Sequence, residues 1–252
     1  MANHFRAVGL AVDGEEDLAR LEPMVMAQGR RYRHAVGTLV WWSPGKGVEL
    51  WVGLSKDGGL ICMNPHYLGS GRVHVREEKF VVDPACPFCH SFSGWYQGGE
   101  DGGRWSDLCP LVVELPELSL GAKRSEHQSV LQVAAFGERL RCFPDVTSYD
   151  ATQTGTARYG PGTIIPVGHF ADPAEISARG RPRAEVLMVG IASLVETVRS
   201  PAGGPDFLRL QVGNNGNLFD VVAEPSIVSG TPAVGGVIEG LYWLSGRFVT
   251  PQ

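Results

Sequence analysis

The chain has 252 residues, of which 43% are hydrophobic and 19% charged, and this is enough to bury a sizeable core as one large β-rich domain or two smaller ones. A formal net charge of -5 gives no overall positive field to attract phosphate backbones, so the composition disfavours a nucleic-acid-binding protein. The 33 glycines and 17 prolines are spread along the chain, which is typical of many turns between short strands.

The start of the chain and its cysteine content indicate a compartment. Residues 1–6 lack the basic segment and apolar core of a signal peptide, and no apolar run approaches the roughly eighteen residues that cross a bilayer. The five cysteines are odd in number and do not form the pattern of a disulfide framework. We therefore expect a cytoplasmic protein that does not enter a membrane.

The first 65 residues predict a β-α-β-β-β order. Residues 5–12 are apolar with β-branched positions and predict a strand. Asp13 and Glu16 have the spacing of a capping box, and the helix that they begin would end at Gly29. Three further strands, separated by Pro-Gly and Asp-Gly turn sequences, are predicted at residues 36–42, 48–54 and 60–63.

That order resembles one half-module of the glyoxalase, or vicinal-oxygen-chelate, family. In this family two such modules close around a divalent metal, and the resemblance implies His4 and Glu49 as ligands. A second alignment, through residues 57–61, places Cys62 at the position of the glutamate. Since one module covers about a quarter of the chain, the resemblance also implies a homodimer in which two copies pair.

The middle of the chain predicts antiparallel strands joined by exposed turns. The candidate strands are residues 72–77, 80–82, 92–96, 111–116, 130–135 and 140–143. Residues 98–104 are rich in glycine and charge and predict an exposed loop. Residues 146–182 have little apolar periodicity, which predicts a linker or a wandering connection.

The last 70 residues have the clearest pattern. Strands are predicted at residues 185–198, 207–212, 218–223 and 237–249, with a hairpin turn at 214–217. A long bent strand, a meander and a returning strand suggest a small OB-like β-barrel. The fold class is therefore α+β and predominantly β, with a βαβββ module and added strands at 1–145, the connection at 146–182 and the barrel at 183–252.

Cys86 and Cys89 have the spacing of a zinc knuckle, which Cys109 and one histidine among His66, His74 and His90 would complete. The tetrapeptide Cys-Pro-Phe-Cys also resembles the active-site sequence of glutaredoxin-like redox proteins, although no long helix follows it. A third interpretation is that two small, soft side chains pack beneath a loop. The pair therefore predicts zinc binding, thiol redox chemistry or packing.

No Gly-x-Ser-x-Gly elbow, Walker loop or His-Glu-x-x-His sequence is present. Residues 183–252 contain four arginines against six acidic residues, which disfavours single-stranded nucleic acid as a partner of the barrel. The first hypothesis is a binding or interaction module for a protein or small-molecule partner. The alternatives are a metal-dependent, glyoxalase-like enzyme using His4 and Glu49, and a protein that uses Cys86 and Cys89 for zinc, another divalent metal or thiol redox chemistry.

Overall fold

The computed structural model describes residues 3–99, 104–118 and 129–249, and strands dominate it. The helices are α1 (Glu15–Gln28), α2 (Val146–Asp150) and α3 (Pro173–Arg179). The strands are β1 (Arg30–His34), β2 (Gly37–Gly45), β3 (Val48–Ser55), β4 (Leu60–Tyr67), β5 (Val73–Asp83), β6 (Cys86–Gly98), β7 (Ser106–Glu114), β8 (Ser129–Phe143), β9 (Ile164–Ile165), β10 (Glu185–Val198), β11 (Phe207–Asn214), β12 (Asn217–Ala223), β13 (Val228–Ser229) and β14 (Val237–Phe248).

The strand predicted at residues 5–12 was wrong, because this segment contains the 3-10 helix Arg6–Val8. The side-chain oxygen of Asn3 accepts hydrogen bonds from two following backbone amides, at 3.0 and 3.3 Å, and so bends the chain into a turn. Gly9, with a φ of 74°, then ends the turn in the left-handed region. The apolar side chains of this segment are buried in a cluster with residues of α1 and of both sheets rather than paired in a strand.

The predicted first helix was confirmed as α1, and it runs through Pro23 without ending there. Leu21 and Val25 are its buried residues, and three acidic side chains in its first turn interact favourably with the positive end of the helix dipole. β1, β2, β3 and β4 follow as an antiparallel meander in that order. The N-terminal part is therefore a helix followed by four strands, and β1 is a strand that the pattern did not predict.

The second sheet has ten strands, β5 to β14, in the order β11-β12-β8-β5-β6-β7-β14-β10-β9 with β13 beside β8. The predicted pairs at 72–77 with 80–82 and at 130–135 with 140–143 are each one long strand, β5 and β8. The predicted loop at 98–104 lies partly outside the described residues. No helix among the described residues combines the length and apolar character needed to span a membrane.

The four strands predicted at the C-terminal end were confirmed as β10, β11, β12 and β14. Asn215 and Gly216, with φ values of 47° and 77°, form the predicted hairpin turn between β11 and β12. β10 pairs with β11, β11 with β12, β12 with β8, β8 with β14, and β14 with β10. One strand of this set, β8, thus precedes the predicted 146–182 connection, and that connection contains α2, β9 and α3.

A buried ion pair joins the two sheets. Glu49 on β3 is 1% exposed, and its Oε1 lies 3.2 Å from Nη1 of Arg247 on β14. Arg247 also donates to Glu117, at 2.6 Å from Nη2 and 3.0 Å from Nε. Burial raises the pKa of Glu49, and the Arg247 charge opposes that rise. Arg247 therefore supplies the opposite charge that favours the ionised form of Glu49 inside the protein.

Replacing Arg247 with Met should lower the free energy of unfolding by about 3–5 kcal/mol at pH 7.5, because it leaves Glu49 buried and unpaired. The loss of Arg247 raises the pKa of Glu49 further, so the deficit should shrink as the pH falls and Glu49 takes up a proton. Urea unfolding at several pH values measures both effects. The matched control is Arg141→Met, whose more exposed pair with Glu239 should be worth less than about 1 kcal/mol; equal losses in both variants would contradict the prediction.

Candidate functional site

Three cysteine side chains meet where the two sheets face each other. Cys62 comes from β4 of the first sheet, and Cys86 and Cys89 come from the start of β6 in the second. Their sulfur atoms all lie within 4.8 Å of one another. Among the described residues, this is the one group of three or more His, Cys, Asp or Glu side chains that is compact enough to surround a metal ion. We refer to it as the thiol cluster.

An irregular hairpin brings the two cysteines of β6 together. Asp83 opposes Cys86 in the β5–β6 ladder, and the next paired residues are Val82 and His90. Residues 87–89 are therefore extra on β6, and the chain bulges there. The bulge places the Cα atoms of Cys86 and Cys89 5.2 Å apart, and the two residues form a disulfide.

Cys62 is a free thiol beside this disulfide. Burial raises its pKa to about 11, and a hydrogen bond from the backbone N–H of Gly53 partly offsets the rise. Cys89 Sγ accepts a hydrogen bond from Nδ2 of Asn64 at 3.6 Å. Each sheet thus supplies a sulfur that receives a neutral hydrogen-bond donor, and such donors stabilise a thiolate.

An apolar and aromatic shell surrounds the thiol cluster. It contains buried Leu39, Trp51 and Phe88 and the half-buried Tyr32, Trp41 and Ile61. The space is tight at Gly53, where an added Cβ would lie 2.5 Å from the Phe88 ring and 2.8 Å from Cys62 Sγ. A low-dielectric shell of this kind limits water and disfavours uncompensated charge.

The remaining cysteine and histidines of the predicted zinc site have other partners. Cys109 opposes Tyr96 on β6 and packs against the main core, where burial raises its pKa to about 11. His90 Nε2 lies 3.1 Å from the carbonyl oxygen of Pro87. His74 stacks on Trp105, with ring centres 3.6 Å apart. The structure therefore brings Cys86 and Cys89 together with Cys62 and not with Cys109 or His90.

His4 and Glu49, the ligands implied by the glyoxalase resemblance, have separate sets of partners. His4 stacks on Trp243, with ring centres 4.6 Å apart, and its Nε2 lies 3.4 Å from Glu138 Oε1. Glu49 pairs with Arg247 as described above. Neither side chain belongs to a compact group of metal-binding side chains among the residues that the structure describes.

A fully buried serine–histidine contact lies further along the same face of β4, at the fourth residue after Cys62. His66 Nδ1 is 2.9 Å from Ser245 Oγ, and Nε2 is 3.1 Å from Gln132 Oε1. Gln132 Nε2 donates to the carbonyl of Tyr67 and to Asp220, so its Oε1 must accept from His66 Nε2–H. The histidine is then neutral with Nδ1 accepting from the serine, and burial lowers its pKa to about 3.

This contact has the atoms of a catalytic pair without access to a substrate. His66 and Ser245 are 1% and 0% exposed. The side-chain polar atoms of Ser245, His66, Gln132 and Asp220 all have hydrogen-bond partners within the protein. A nucleophile needs a position beside it where a reacting carbonyl can sit, and a serine that is 0% exposed offers no such position to a molecule from solution. The network therefore fixes the sheets against each other.

Replacing His66 with Gln should remove part of the acid sensitivity of the fold. Since the pKa is lowered in the folded state, the unfolded state binds an extra proton between about pH 6.5 and 3, and stability is lost as the pH falls through this window. The titration of His66 alone should lower the free energy of unfolding by up to about 1.4 kcal/mol for each pH unit below 6.5. Urea unfolding at pH 7.5, 6 and 5 should give a shallower slope for His66→Gln than for the wild type. The exposed His34→Gln is the control, and identical slopes for wild type and His66→Gln would refute the assignment.

No protein-family model matches this chain, and no curated protein or solved structure matches it either. The functional interpretation accordingly rests on the geometry of its own side chains.

Proposed function

We propose that this protein is a binding protein that holds a thiophilic metal ion, zinc in the first place, with the reduced side chains of Cys62, Cys86 and Cys89. The observation that carries this proposal is the convergence of three sulfurs, from two separate sheets, within 4.8 Å of one another. Thiolates are preferred ligands of Zn²⁺ and Cu⁺. Zinc in a structural or binding role agrees with the first hypothesis of a binding module and with its cysteine alternative.

The distances are close to those that zinc requires. With Zn–S bonds of about 2.3 Å in a tetrahedron, ligand sulfurs lie about 3.8 Å apart. After reduction, the sulfurs of Cys86 and Cys89 would have to move apart to that distance. Cys62 Sγ, which lies within 4.8 Å of both, would have to approach them by up to about 1 Å. Three sulfurs leave the fourth position to water or to a ligand supplied from outside the cluster.

The surroundings of the sulfurs support thiolates once a cation is present. A Zn²⁺ ion with three thiolates has a net charge of -1, which is less costly in an apolar shell than an isolated thiolate. The Gly53 amide and Asn64 Nδ2 are the outer hydrogen-bond donors that metal sites generally need.

The oxidation state of Cys86 and Cys89 decides whether the site can form. Their disulfide removes two of the three ligands. An external dithiol reduces it by supplying two electrons and two protons, and itself becomes a disulfide. Zinc then displaces the protons of three thiols, so binding strengthens as the pH rises. The metal site is thus available in the reduced protein alone.

The geometry supports a role in thiol–disulfide exchange less well. Cys62 is placed next to the disulfide, but with a pKa of about 11 little of it is thiolate at neutral pH, and the thiolate is the attacking species. The β6 segment after Cys89 is a strand, so no helix N-terminus lowers the pKa of either partner. The glyoxalase-like alternative has weaker support, because His4 and Glu49 have different partners.

We further propose that β8, β10, β11, β12 and β14 form a small barrel of the OB type. The support is the cycle of pairings, which returns from β14 to β10, and the parallel pairing of β12 with β8. Barrels of this type present binding surfaces on their strands and connecting loops. Such a barrel agrees with a binding role for the whole chain.

Elemental analysis and zinc titration of the protein, reduced with a phosphine and then dialysed, test the metal proposal. The reduced wild type should retain stoichiometric zinc, and the oxidised wild type should retain none. Cys62→Ser should lower zinc affinity by more than about 100-fold, because it removes a ligand. Asn64→Ala should lower it by about 10- to 100-fold, because hydrogen-bond donors to the ligands contribute less to the affinity than the ligands themselves. Substituted Co²⁺ should give thiolate charge-transfer absorption.

Cys109→Ser and Cys142→Ser are the matched controls, because both residues are free cysteines outside the cluster. They should bind zinc as the wild type does. The comparison of the oxidised and reduced wild type needs no substitution, so a folding defect in Cys62→Ser does not affect it. Absence of zinc from the reduced wild type, or wild-type affinity in Cys62→Ser, would exclude the proposed site.

A further inference from the structure

A cavity of about 600 Å³ lies at a second junction of the two sheets. The β2–β3 turn and the β4–β5 connection form one wall, and the ends of β10 and β11 form the other. The side chains that matter for its chemistry are Lys46, Tyr67, Ser70, Glu196, Arg199 and Arg209. Small-molecule sites in proteins have volumes of about 300–1,000 Å³, so the cavity has the size of a ligand site.

The lining of this cavity has a net positive charge, whereas the whole chain has a net negative charge. Lys46, Arg199 and Arg209 line it with one carboxylate, Glu196, so the lining carries two net positive charges while the whole chain carries -5. Lys46 Nζ donates to the carbonyl oxygen of Arg199 at 3.3 Å, and this contact fixes the ammonium group beside the arginine. A concave surface with clustered cations attracts small anions.

Arg209 is the best-placed cation and is incompletely used. Its Nη1 lies 3.3 Å from Glu196 Oε1, and its guanidinium carbon lies 5.8 Å from the centre of the Tyr67 ring. Its Nε is buried and has no hydrogen-bond partner among the described residues. Buried donors are almost always paired, so the protein leaves part of the hydrogen-bonding capacity of this guanidinium unused.

The wall that faces Arg209 is preformed. The Leu68 amide donates to the carbonyl of Gly47 at 2.7 Å and joins the β2–β3 turn to the β4–β5 connection. Lys46 has a φ of 50°, which directs the turn, and a Cβ at Gly69 would overlap the carboxylate of Asp220. A site that is ordered before binding loses less entropy when its ligand arrives.

We propose that this cavity binds a small phosphorylated molecule, with the phosphate held by Arg209, Arg199 and Lys46. A phosphomonoester carries about -1.5 to -2 charges at pH 7, which matches the two net positive charges of the lining. Arginine guanidinium groups bind phosphate oxygens in pairs, and two arginines, Arg199 and Arg209, line this cavity. The rest of the volume accommodates the organic part of the ligand. This site is separate from the thiol cluster, and either proposal can fail without the other.

Calorimetric titration of the full chain at low ionic strength tests this assignment, with glycerol 3-phosphate, inorganic phosphate, succinate and a single-stranded oligonucleotide as probes. Glycerol 3-phosphate should bind at one saturable site, and succinate should bind at least about tenfold more weakly. Arg209→Gln should weaken binding by about tenfold or more. Glu196→Gln should strengthen it severalfold, because it removes the carboxylate that competes for Arg209.

Arg199→Gln is a second loss variant, and its side chain is exposed, so the fold does not depend on it. Arg141→Gln is the matched control, since Arg141 pairs with Glu239 outside the cavity and should leave binding unchanged. The proposal is overturned by no binding of glycerol 3-phosphate at millimolar concentration, by equal affinities of Arg209→Gln and Arg141→Gln, or by succinate binding as tightly. Tighter binding of the oligonucleotide, with a steep salt dependence, would assign the surface to nucleic acid instead.

Discussion

The contact of β14 with the first sheet fixes how the two sheets of this protein lie against each other. Ser245 and Arg247 lie two residues apart and therefore point to the same face of the strand. One binds His66 on β4 and the other binds Glu49 on β3. Because all four groups are at least partly buried, any sliding of the sheets would leave polar atoms without partners, at a cost of several kcal/mol. The polar contacts thus define one register in an interface whose apolar packing alone would permit several.

Both candidate sites depend on that register, because each takes residues from the two sheets. The thiol cluster combines Cys62 of the first sheet with two cysteines of the second. The cavity for which we propose phosphate binding combines Lys46 and Tyr67 of the first with Arg199 and Arg209 near the ends of β10 and β11. Neither sheet alone has a complete set of groups. Any energetic coupling between the two sites would have to pass through the shared interface, whose buried polar contacts define its register.

The sequence predicted those strands whose side-chain alternation and turn residues lie within a few positions of one another. Clean alternation and an Asn-Gly turn were sufficient for β11 and β12. The segment at residues 5–12 failed because the side chain of Asn3 caps a turn, which apolar periodicity does not register. The pairing of β8 with β12 joins residues almost ninety apart, and Cys62 is 24 residues from Cys86, so no spacing motif encodes either contact. The cavity arises from four separate segments and has no sequence signature at all.

The long strand β8 has a consequence for how the protein is made. It pairs with β5 before it in the chain, and with β12, β13 and β14 after it. During synthesis β8 leaves the ribosome about a hundred residues before β14. Until β14 follows, the edge of β8 that pairs with β14 has no native partner. Contacts this distant in sequence are closed late and slowly. The nascent chain therefore passes through a stage in which one edge of β8 is unpaired and can form hydrogen bonds with other chains. Shielding this edge until β14 has been made should reduce aggregation during synthesis.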